Sequence, residues 1–269
     1  MEELLEGIAG ICRQAGAAIL EVYEREDLGI EIKKDESPLT AADLAAHNLI
    51  IEGLTKLAPE IPILSEESDG IDFDTRKQWR KYFLVDPLDG TKEFIKRNGE
   101  FTVNIALIED HKAVLGVVFV PVQNVLYAGI VGSKAFVERD QKRRDLNTRK
   151  IDSNKITVVA SRRHGTDSMQ KCVEILESKF ELETLSVGSS LKFCMIAEGQ
   201  ADLYPRLAPT SEWDTAAAQA VVEAAGGQVV DTSMMPLQYN TKENILNPYF
   251  YVFADPDYDW ASLLNPMSS

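Results

Sequence analysis

The sequence predicts a mixed α/β protein whose N-terminal half is of the α+β type. Three observations support this class. Apolar residues recur at helical spacing near the start of the chain, strand-like runs follow one another in residues 101–137, and strands alternate with helices after residue 155. Consecutive strands joined by short turns are typical of an antiparallel sheet, whereas alternation of strands and helices indicates an α/β layer.

The first half is predicted to contain two helices followed by an antiparallel meander. The first helix covers residues 2–23, with an apolar face formed by Leu4, Ile8, Ile11, Ala15, Ile19 and Val22. The second runs from Thr40 to Pro59, because Thr40 and Asp43 have capping-box-like spacing and proline ends a helix. Its predicted apolar face consists of Ala46, Leu49, Ile50, Gly53, Leu54 and Leu57. Strands are expected at 30–32, 61–64, 82–85, 101–107, 113–120, 125–130 and 134–137.

The second half is predicted to alternate between strands and helices. Strands are expected at 156–160, 182–187, 201–204, 229–230 and 249–253, and helices at 168–180, 190–198 and 214–225. The polar, basic stretch 141–150 has no apolar period, so we place the boundary between two halves there. The predicted domains are residues 1–150 and residues 151–269.

Composition narrows the classes of function. The chain has 269 residues and a net charge of −15, which argues against general binding to nucleic acids or anionic membranes. Its longest apolar run, 113–120, is too short to span a membrane, and no signal pattern opens the chain. We therefore predict a cytoplasmic protein and leave open weak peripheral association with the inner membrane. Monomer and homodimer both stay open.

The cysteines and histidines suggest neither disulfides nor zinc. Three cysteines, an odd number, are widely spaced in helix-like apolar patterns, so we expect buried, reduced thiols at Cys12, Cys172 and Cys194. The three histidines are far apart and lack the spacing of zinc ligands.

The central motif of the chain is Asp86-Pro87-Leu88-Asp89-Gly90-Thr91, between an apolar strand and a predicted helical turn. We expect a tight turn that brings the two carboxylates together. Such close carboxylates repel unless a cation lies between them or a proton is shared, and Mg²⁺ prefers oxygen ligands. Gly90 permits a close backbone approach, and free N–H groups at a helix start attract phosphate. The motif therefore suggests a metal-assisted phosphatase, although alone it also fits an ordinary β-turn.

Three segments together resemble the signatures of the inositol monophosphatase superfamily. They are residues 64–67 (LSEE), 86–91 (DPLDGT) and 213–217 (WDTAA), and each alone also fits a solvated loop, a turn or a helix cap. A closer resemblance, to the CysQ-type 3'(2'),5'-bisphosphate nucleotidases, is carried by residues 37–43, 86–104 and 188–194. The resemblance implies a layered αβαβα sandwich of the sugar-phosphatase type, with the active site between the two halves and Asp214 contributed by the second.

The resemblance also implies two or three Mg²⁺ ions per active site. The first would take Glu66, Asp86 and the carbonyl oxygen of Leu88. The second would take Asp86, Asp89 and Asp214, and a third would be held by Glu66 through water.

Catalytic and substrate-binding roles follow from the same resemblance. It assigns catalysis to Glu66, Thr91 and Asp43: the Thr91 hydroxyl would orient the attacking water and Asp43 would hold Thr91. The implied substrate-binding residues are Glu66, Leu88, Asp89, Gly90, Thr91, His164, Gly188, Ser189, Lys192, Arg206 and Asp214. Backbone N–H groups of Gly90 and Thr91 would hold phosphate oxygens.

The implied activity is hydrolysis of 3'-phosphoadenosine 5'-phosphate to AMP and phosphate, a lithium-sensitive reaction of sulfur metabolism. An inositol or fructose phosphatase of the same superfamily is the main alternative, because the metal site is shared. A phosphatase of the haloacid dehalogenase type fits poorly, since its acids are two positions apart and here they are three. A non-catalytic binding protein on this fold is disfavoured by the complete set of metal ligands.

Overall fold

The computed structural model describes residues 1–33, 37–68, 70–151, 154–160 and 167–264. The helices are α1 (Glu2–Tyr23), α2 (Ala41–Leu57), α3 (Phe73–Arg76), α4 (Thr91–Ile95), α5 (Asp167–Glu177), α6 (Leu191–Ala197), α7 (Ala216–Ala224) and α8 (Trp260–Leu264). A 3-10 turn, Glu212–Asp214, precedes α7. Within these ranges no helix has the length and apolar character needed to cross a membrane.

The strands form one large sheet, one smaller sheet and a short ribbon. The first strands are β1 (Glu31–Ile32), β2 (Pro38–Leu39), β3 (Ile63–Ser65), β4 (Lys81–Asp89), β5 (Thr102–Glu109), β6 (Lys112–Val120) and β7 (Val125–Ile130). The others are β8 (Lys134–Arg139), β9 (Lys142–Asp145), β10 (Lys155–Ala160), β11 (Glu181–Ser186), β12 (Leu203–Arg206), β13 (Gln228–Asp231) and β14 (Phe250–Phe253). The large sheet has the order β3-β4-β5-β6-β7-β8-β9, the smaller one β11-β10-β12-β14-β13, and β1 pairs with β2.

Helices and sheets alternate in five layers. Helices α1 and α2 pack together on one face of the large sheet, and α7 packs on its other face. Helix α6 contacts both α7 and the smaller sheet, whose outer side is covered by α5 and α8. The apolar faces of these elements form the cores between the layers, as burial of apolar surface requires. The predicted αβαβα sandwich is confirmed.

Most predicted elements are present, and the differences are local. The strand before the central motif does not end in a tight turn but continues to Asp89. The stretch predicted as a boundary contains β9, whose four residues are all exposed, so no apolar period marked it. Leu57, predicted on the apolar face of α2, is 38% exposed. The short helices α3 and α8 and the two-residue strand β2 were not predicted. The division at residue 150 stays a prediction.

The three cysteines are free thiols and all are buried, as predicted. Cys12 lies in α1, Cys172 in α5 and Cys194 in α6. Burial raises the pKa of the Cys172 thiol to about 12, so it carries no thiolate at neutral pH. These cysteines therefore serve as small apolar core residues.

The packing of α7 on the large sheet depends on a glycine in β6. A Cβ atom at Gly116 would lie 2.0 Å from the carbonyl oxygen of Ala217, in the first turn of α7. Backbone atoms cannot yield as a flexible side-chain end can, so α7 would have to move away from the sheet. Since Asp214 directly precedes α7, the closeness of this helix to the sheet also sets the position of the acidic site.

We expect Gly116→Ala to lower the free energy of unfolding by about 1–3 kcal/mol, the usual cost of overpacking. The matched control is Gly10→Ala in α1, where a Cβ meets no heavy atom within 4 Å. That control should stabilise the protein by up to ~1 kcal/mol, because alanine is the better helix former. Urea unfolding of both variants measures the difference, and equal stabilities would contradict the close contact.

Candidate active site

A β-bulge in β4 turns two aspartates toward the same space. Residues three apart in a regular strand point to opposite faces of the sheet. Here Asp86 pairs with Asn104 and Asp89 pairs with Thr102, so β4 has one residue more than β5 over this interval. The extra residue rotates the chain by one position and places both carboxylates on one face.

The second half of the chain contributes a third carboxylate. Asp214 ends the 3-10 turn before α7, where its Oδ2 accepts a hydrogen bond of 2.9 Å from the backbone N–H of Ser211. One carboxylate oxygen from each of Asp86, Asp89 and Asp214 lies within 4.8 Å of the other two. A divalent cation fits this set, because its ligands are all hard oxygen donors on a scaffold of regular elements.

The electrostatics of the cluster also favour a cation. Burial raises the pKa of Asp86 well above its usual value, and the nearby Glu66, Asp89 and Asp214 carboxylates raise it further. Burial followed by the charges of Asp89 and Glu66 likewise raises the pKa of Asp214. Ionising these groups together is unfavourable without a compensating positive charge. A bound cation would provide that charge.

Glu66 lies at the edge of the cluster and is held by a lysine. The Nζ of Lys33 donates to Glu66 Oε1 at 2.9 Å and to Glu67 Oε1 at 2.5 Å. Burial raises the pKa of Glu66 to about 7, although the charge of Lys33 acts in the opposite direction. The carboxylates in turn raise the pKa of Lys33 despite its partial burial. Lys33 was not predicted as a site residue, since an isolated lysine in a polar loop carries no sequence signal.

Asp43 and Thr91 form the predicted pair. Asp43 is buried at the start of α2, where its Oδ2 accepts from the Thr40 backbone N–H at 2.7 Å and from the Thr40 hydroxyl at 2.6 Å. Its other oxygen, Oδ1, lies 3.3 Å from Thr91 Oγ1, which is 3.4 Å from the Leu88 carbonyl oxygen. Burial raises the pKa of Asp43, whereas the Thr40 hydrogen bonds lower it. The capping box therefore fixes the carboxylate that faces Thr91.

Gly90 connects the bulged strand to α4 with a left-handed backbone, at φ +95°. A Cβ atom there would lie 3.0 Å from the Glu100 carbonyl oxygen. Glycine is therefore required for both conformation and space. The turn starts α4 at Thr91, so the first N–H groups of that helix, which have no partner inside it, begin beside Asp89.

A cleft of about 220 Å³ extends from the cluster toward the smaller sheet. Acidic, basic and aromatic side chains share its walls: Asp89, Glu93, Glu100, Asp214, Lys92, Lys192, Arg206, Phe193, Tyr204 and Phe250. Lys192 is 5% exposed and its Nζ donates to the carbonyl oxygens of Val187 and Ser189 at 3.2 and 2.7 Å. Arg206 donates to the carbonyl oxygens of Ala208 and Pro209 at 3.1 and 2.8 Å. Burial lowers the pKa of Lys192 to about 8, so it is largely protonated at neutral pH.

The structure brings together most of the predicted site residues. Asp86, Asp89 and Asp214 form the cluster, Leu88 donates its N–H to Asp86 Oδ1 at 3.0 Å, and Glu66 is close enough to affect the pKa of Asp86. The cleft is lined by Gly90, Gly188, Ser189, Lys192 and Arg206. His164 lies outside the described residues. The individual roles of all these site residues stay predictions. Tyr204, Phe250 and Glu100 were not predicted, because apolar strand residues and an isolated glutamate look like core and surface.

Fold and site together define a family. Residues 1–255 match the model of the inositol monophosphatase family, and the chain belongs to that family. Among the curated proteins, the 3'(2'),5'-bisphosphate nucleotidase CysQ of Escherichia coli K12 is 50% identical over 250 residues, which cover 93% of this chain and 99% of that protein. Among solved structures, CysQ from Bacteroides thetaiotaomicron is 40% identical, with a TM-score of 0.84 over 94% of this chain and 97% of the other. The inositol monophosphatase of Thermotoga maritima, 23% identical with a TM-score of 0.78, shares the fold and covers 100% of this chain and 98% of its own.

Proposed function

We propose that this protein is a Mg²⁺-dependent 3'(2'),5'-bisphosphate nucleotidase that hydrolyses 3'-phosphoadenosine 5'-phosphate to AMP and phosphate. The observation that carries the proposal is a three-carboxylate cluster, two of whose members, Asp89 and Asp214, line one cleft with the cationic side chains Lys92, Lys192 and Arg206. The metals would neutralise the phosphate that is cleaved, and Lys192 and Arg206 would bind a second anion. The names of the 50% and 40% identical relatives support the same substrate.

The carboxylates would hold the cations, and the Asp43–Thr91 pair would orient the attacking water. The proposed ligands of two or three Mg²⁺ ions are Glu66, Asp86, the Leu88 carbonyl oxygen, Asp89 and Asp214. When bound, Mg²⁺ neutralises phosphate charge and makes a coordinated water more acidic. The Thr91 hydroxyl, placed between Asp43 Oδ1 and the Leu88 carbonyl oxygen, would accept from and orient the water. Glu66, at the edge of the cluster, would hold a third ion through water.

The second phosphate would bind to the cations of the second half of the chain. Lys192 is held beside the cluster by backbone carbonyl groups, and Arg206 lines the same cleft, where it donates to the carbonyl oxygens of Ala208 and Pro209. Arginine can bind phosphate through two parallel hydrogen bonds. The N–H groups of Gly90 and Thr91, with Gly188 and Ser189, would contact the substrate nearer the metals. His164 is kept as a substrate-binding proposal from the family resemblance.

We propose a small-molecule nucleotide as the partner and no nucleic acid, consistent with a net charge of −15. A cytoplasmic location, with weak association to the inner membrane left open, also stays a proposal. Monomer and homodimer are distinguished by light scattering of the purified protein.

The test of the function is a phosphate-release screen at fixed Mg²⁺ with 3'-phosphoadenosine 5'-phosphate, inositol 1-phosphate and fructose 1,6-bisphosphate. We expect the highest kcat/KM for the nucleotide. A preference for inositol 1-phosphate would overturn the substrate assignment and leave the family's phosphatase chemistry. Release from none of the three, with Mg²⁺ binding intact, would support a binding protein instead.

Other cations should inhibit the Mg²⁺-dependent reaction. Ca²⁺ is larger and accepts looser coordination than the octahedron that Mg²⁺ demands, so it should occupy the carboxylates without supporting turnover. Li⁺ is expected to displace the metal at Asp89 and Asp214, as the family resemblance implies. Initial rates at fixed Mg²⁺ with increasing CaCl₂ or LiCl, against NaCl as the ionic-strength control, measure both effects. Rates that follow the NaCl series would contradict the proposed ligand set.

A further inference from the structure

A buried polar network links β5 of the large sheet to the residues before α6. Thr102, Asn104 and Ser190 are 0%, 1% and 2% exposed. Thr102 Oγ1 lies 2.7 Å from Ser189 Oγ and 2.8 Å from Ser190 Oγ. Asn104 Oδ1 lies 2.9 Å from Ser190 Oγ and 3.3 Å from Thr102 Oγ1. The network therefore connects the sheet that carries Asp86 and Asp89 to the other half of the chain.

The network ends on one oxygen of Asp89. Asp89 Oδ2 accepts from the Ser189 hydroxyl at 2.5 Å and from the Ser190 backbone N–H at 2.6 Å. Both donors depend on an unusual backbone, since Ser189 has φ +54°, a conformation that costs a non-glycine residue free energy. The chain adopts this conformation where two successive residues bind the same carboxylate oxygen. Asp89 Oδ1 receives neither of these bonds, and one oxygen of this carboxylate lies within 4.8 Å of an oxygen of Asp86 and of Asp214.

Counting hydroxyl protons fixes the direction of the network. As a metal ligand Asp89 is a carboxylate, which only accepts hydrogen bonds, so the Ser189 proton is used on Asp89. The Thr102–Ser189 contact therefore needs the Thr102 proton. The Thr102–Ser190 contact then needs the Ser190 proton, which leaves no hydroxyl proton for Asn104. The remaining contacts become hydrogen bonds only if Asn104 is the donor.

The side-chain amide of Asn104 meets this requirement after a half-turn about its last bond. The half-turn exchanges the amide oxygen with Nδ2, a buried donor that otherwise has no hydrogen-bond partner among the described residues. Nδ2 then lies 2.9 Å from Ser190 Oγ and 3.3 Å from Thr102 Oγ1 and donates to both. All hydroxyl contacts are satisfied in one arrangement, which runs from Asn104 through Ser190, Thr102 and Ser189 to Asp89.

We propose that Thr102 and Asn104 are positioning residues for the metal ligand Asp89. Neither touches the reacting atoms. Asn104 supplies the donor that directs the hydroxyl protons toward Asp89, and Thr102 relays that direction from Ser190 to Ser189. Asp89 Oδ2 thereby accepts two hydrogen bonds, which fix the orientation of the carboxylate beside Asp86 and Asp214. The inference rests on the proposed metal dependence, and its test measures metal binding without substrate.

The test is Mg²⁺ binding by Thr102→Val and Asn104→Leu, each of similar size to the residue it replaces. Removing a partner behind a metal ligand typically costs 10–100-fold in metal affinity. We expect the Mg²⁺ concentration at half of the maximal Tm increase, measured without substrate, to rise roughly tenfold in both variants. Because they break one chain, the double variant should show about the same shift as either single change. In the assay, saturating Mg²⁺ should restore kcat.

Two controls separate positioning from general destabilisation. Thr102→Ser keeps the hydroxyl and should bind Mg²⁺ as the unchanged protein does. Thr157→Val removes another buried threonine hydroxyl, which accepts from Arg149 Nη2 at 2.9 Å in β10 of the smaller sheet, and should leave Mg²⁺ affinity unchanged. If Thr102→Val fails to fold, Ser190→Ala tests the same chain and keeps the backbone N–H on Asp89.

Equal Mg²⁺ affinities for Thr102→Val and Thr157→Val would overturn the proposal, as would a tenfold loss in Thr102→Ser. Neither result depends on the nucleotide. If the protein binds Mg²⁺ but prefers another phosphate ester, the substrate assignment fails while the positioning role stands. If the unchanged protein shows no Mg²⁺-dependent rise in Tm, the metal dependence fails and the positioning role fails with it.

Discussion

Asp86→Asn is expected to lower kcat/KM roughly a thousand-fold, because metal-ion catalysis supplies several kcal/mol and each 1.36 kcal/mol is tenfold in rate. Asn keeps the shape of the side chain and an oxygen that accepts the 3.0 Å hydrogen bond from the Leu88 N–H. The fold around the bulge should therefore survive. What is lost is the charge at the centre of the cluster.

The same substitution should raise the stability of the metal-free protein. Asp86 is 1% exposed and surrounded by like charges, so neutralising it removes repulsion that a cation or a bound proton must otherwise relieve. We expect a higher Tm than the unchanged protein in EDTA and a much smaller increase on adding Mg²⁺. Thermal melts with EDTA and with Mg²⁺, beside the phosphate-release assay, measure both effects. Near-normal turnover, or an unchanged response to Mg²⁺, would remove Asp86 from the metal site.

The stability of the metal-free protein should also fall as pH rises. Glu66 has its pKa raised from 4.5 to about 7 by burial, so the folded protein holds a proton that the unfolded chain has already lost. The contribution of this Glu66 proton to the free energy of unfolding is therefore fully present below about pH 4.5 and is lost as pH rises through 7. In EDTA, Tm should decrease over this window, and Glu66→Gln should reduce the slope. If Mg²⁺ leaves the slope unchanged, the titrating groups lie outside the metal site.

The sequence predicted most of the fold because its elements have strong local signals. Helix α1 has apolar residues three and four positions apart, and the central strands of the large sheet are nearly continuous apolar runs. Strand β9 gave no such signal, because it pairs only at the sheet edge and its side chains face solvent. Short helices such as α3 have too few residues to show a period.

The acidic ligands were predictable and their surroundings were not. Asp86, Asp89 and Asp214 stand in recognisable motifs, but the bulge that turns Asp86 and Asp89 to one face is a property of strand register. Lys33 and Thr102 reach the site only through tertiary packing. Their residue types are common on surfaces and in strands, so a single sequence has no feature that singles them out. Asp43, which contacts Thr91, was predicted through the family resemblance, whereas the roles of Lys33 and Thr102 needed the structure.

Removing the charge of Lys192 or of Arg206 should weaken binding of the second phosphate of the nucleotide. A hydrogen bond to a charged group contributes about 1.5–3 kcal/mol. We therefore expect Lys192→Gln and Arg206→Gln each to raise KM for 3'-phosphoadenosine 5'-phosphate roughly 10–100-fold. The expected change in kcat is small, because this phosphate is bound equally in the ground state and the transition state.

The comparison that isolates the second phosphate uses adenosine 3'-phosphate, which has the same base and the same 3'-phosphate but lacks the 5'-phosphate. Its kcat/KM should be low in the unchanged protein and nearly unaffected by either substitution. Lys179→Gln is the control variant, since Lys179 is exposed and is not among the residues that line the cleft.

The outcome of this comparison separates three roles for the cations. If kcat/KM falls by the same factor for both substrates, Lys192 and Arg206 act on the metal-bound phosphate or on the fold. The assignment to the second phosphate is then wrong. If only the bisphosphate is affected, Lys192 and Arg206 bind a phosphate other than the metal-bound one. The carboxylate cluster itself would then contribute nothing to substrate discrimination, which would depend on the neighbouring cations. In that case a single metal site could serve nucleotide and inositol phosphatases alike, with specificity determined by which cations extend from α6 and β12.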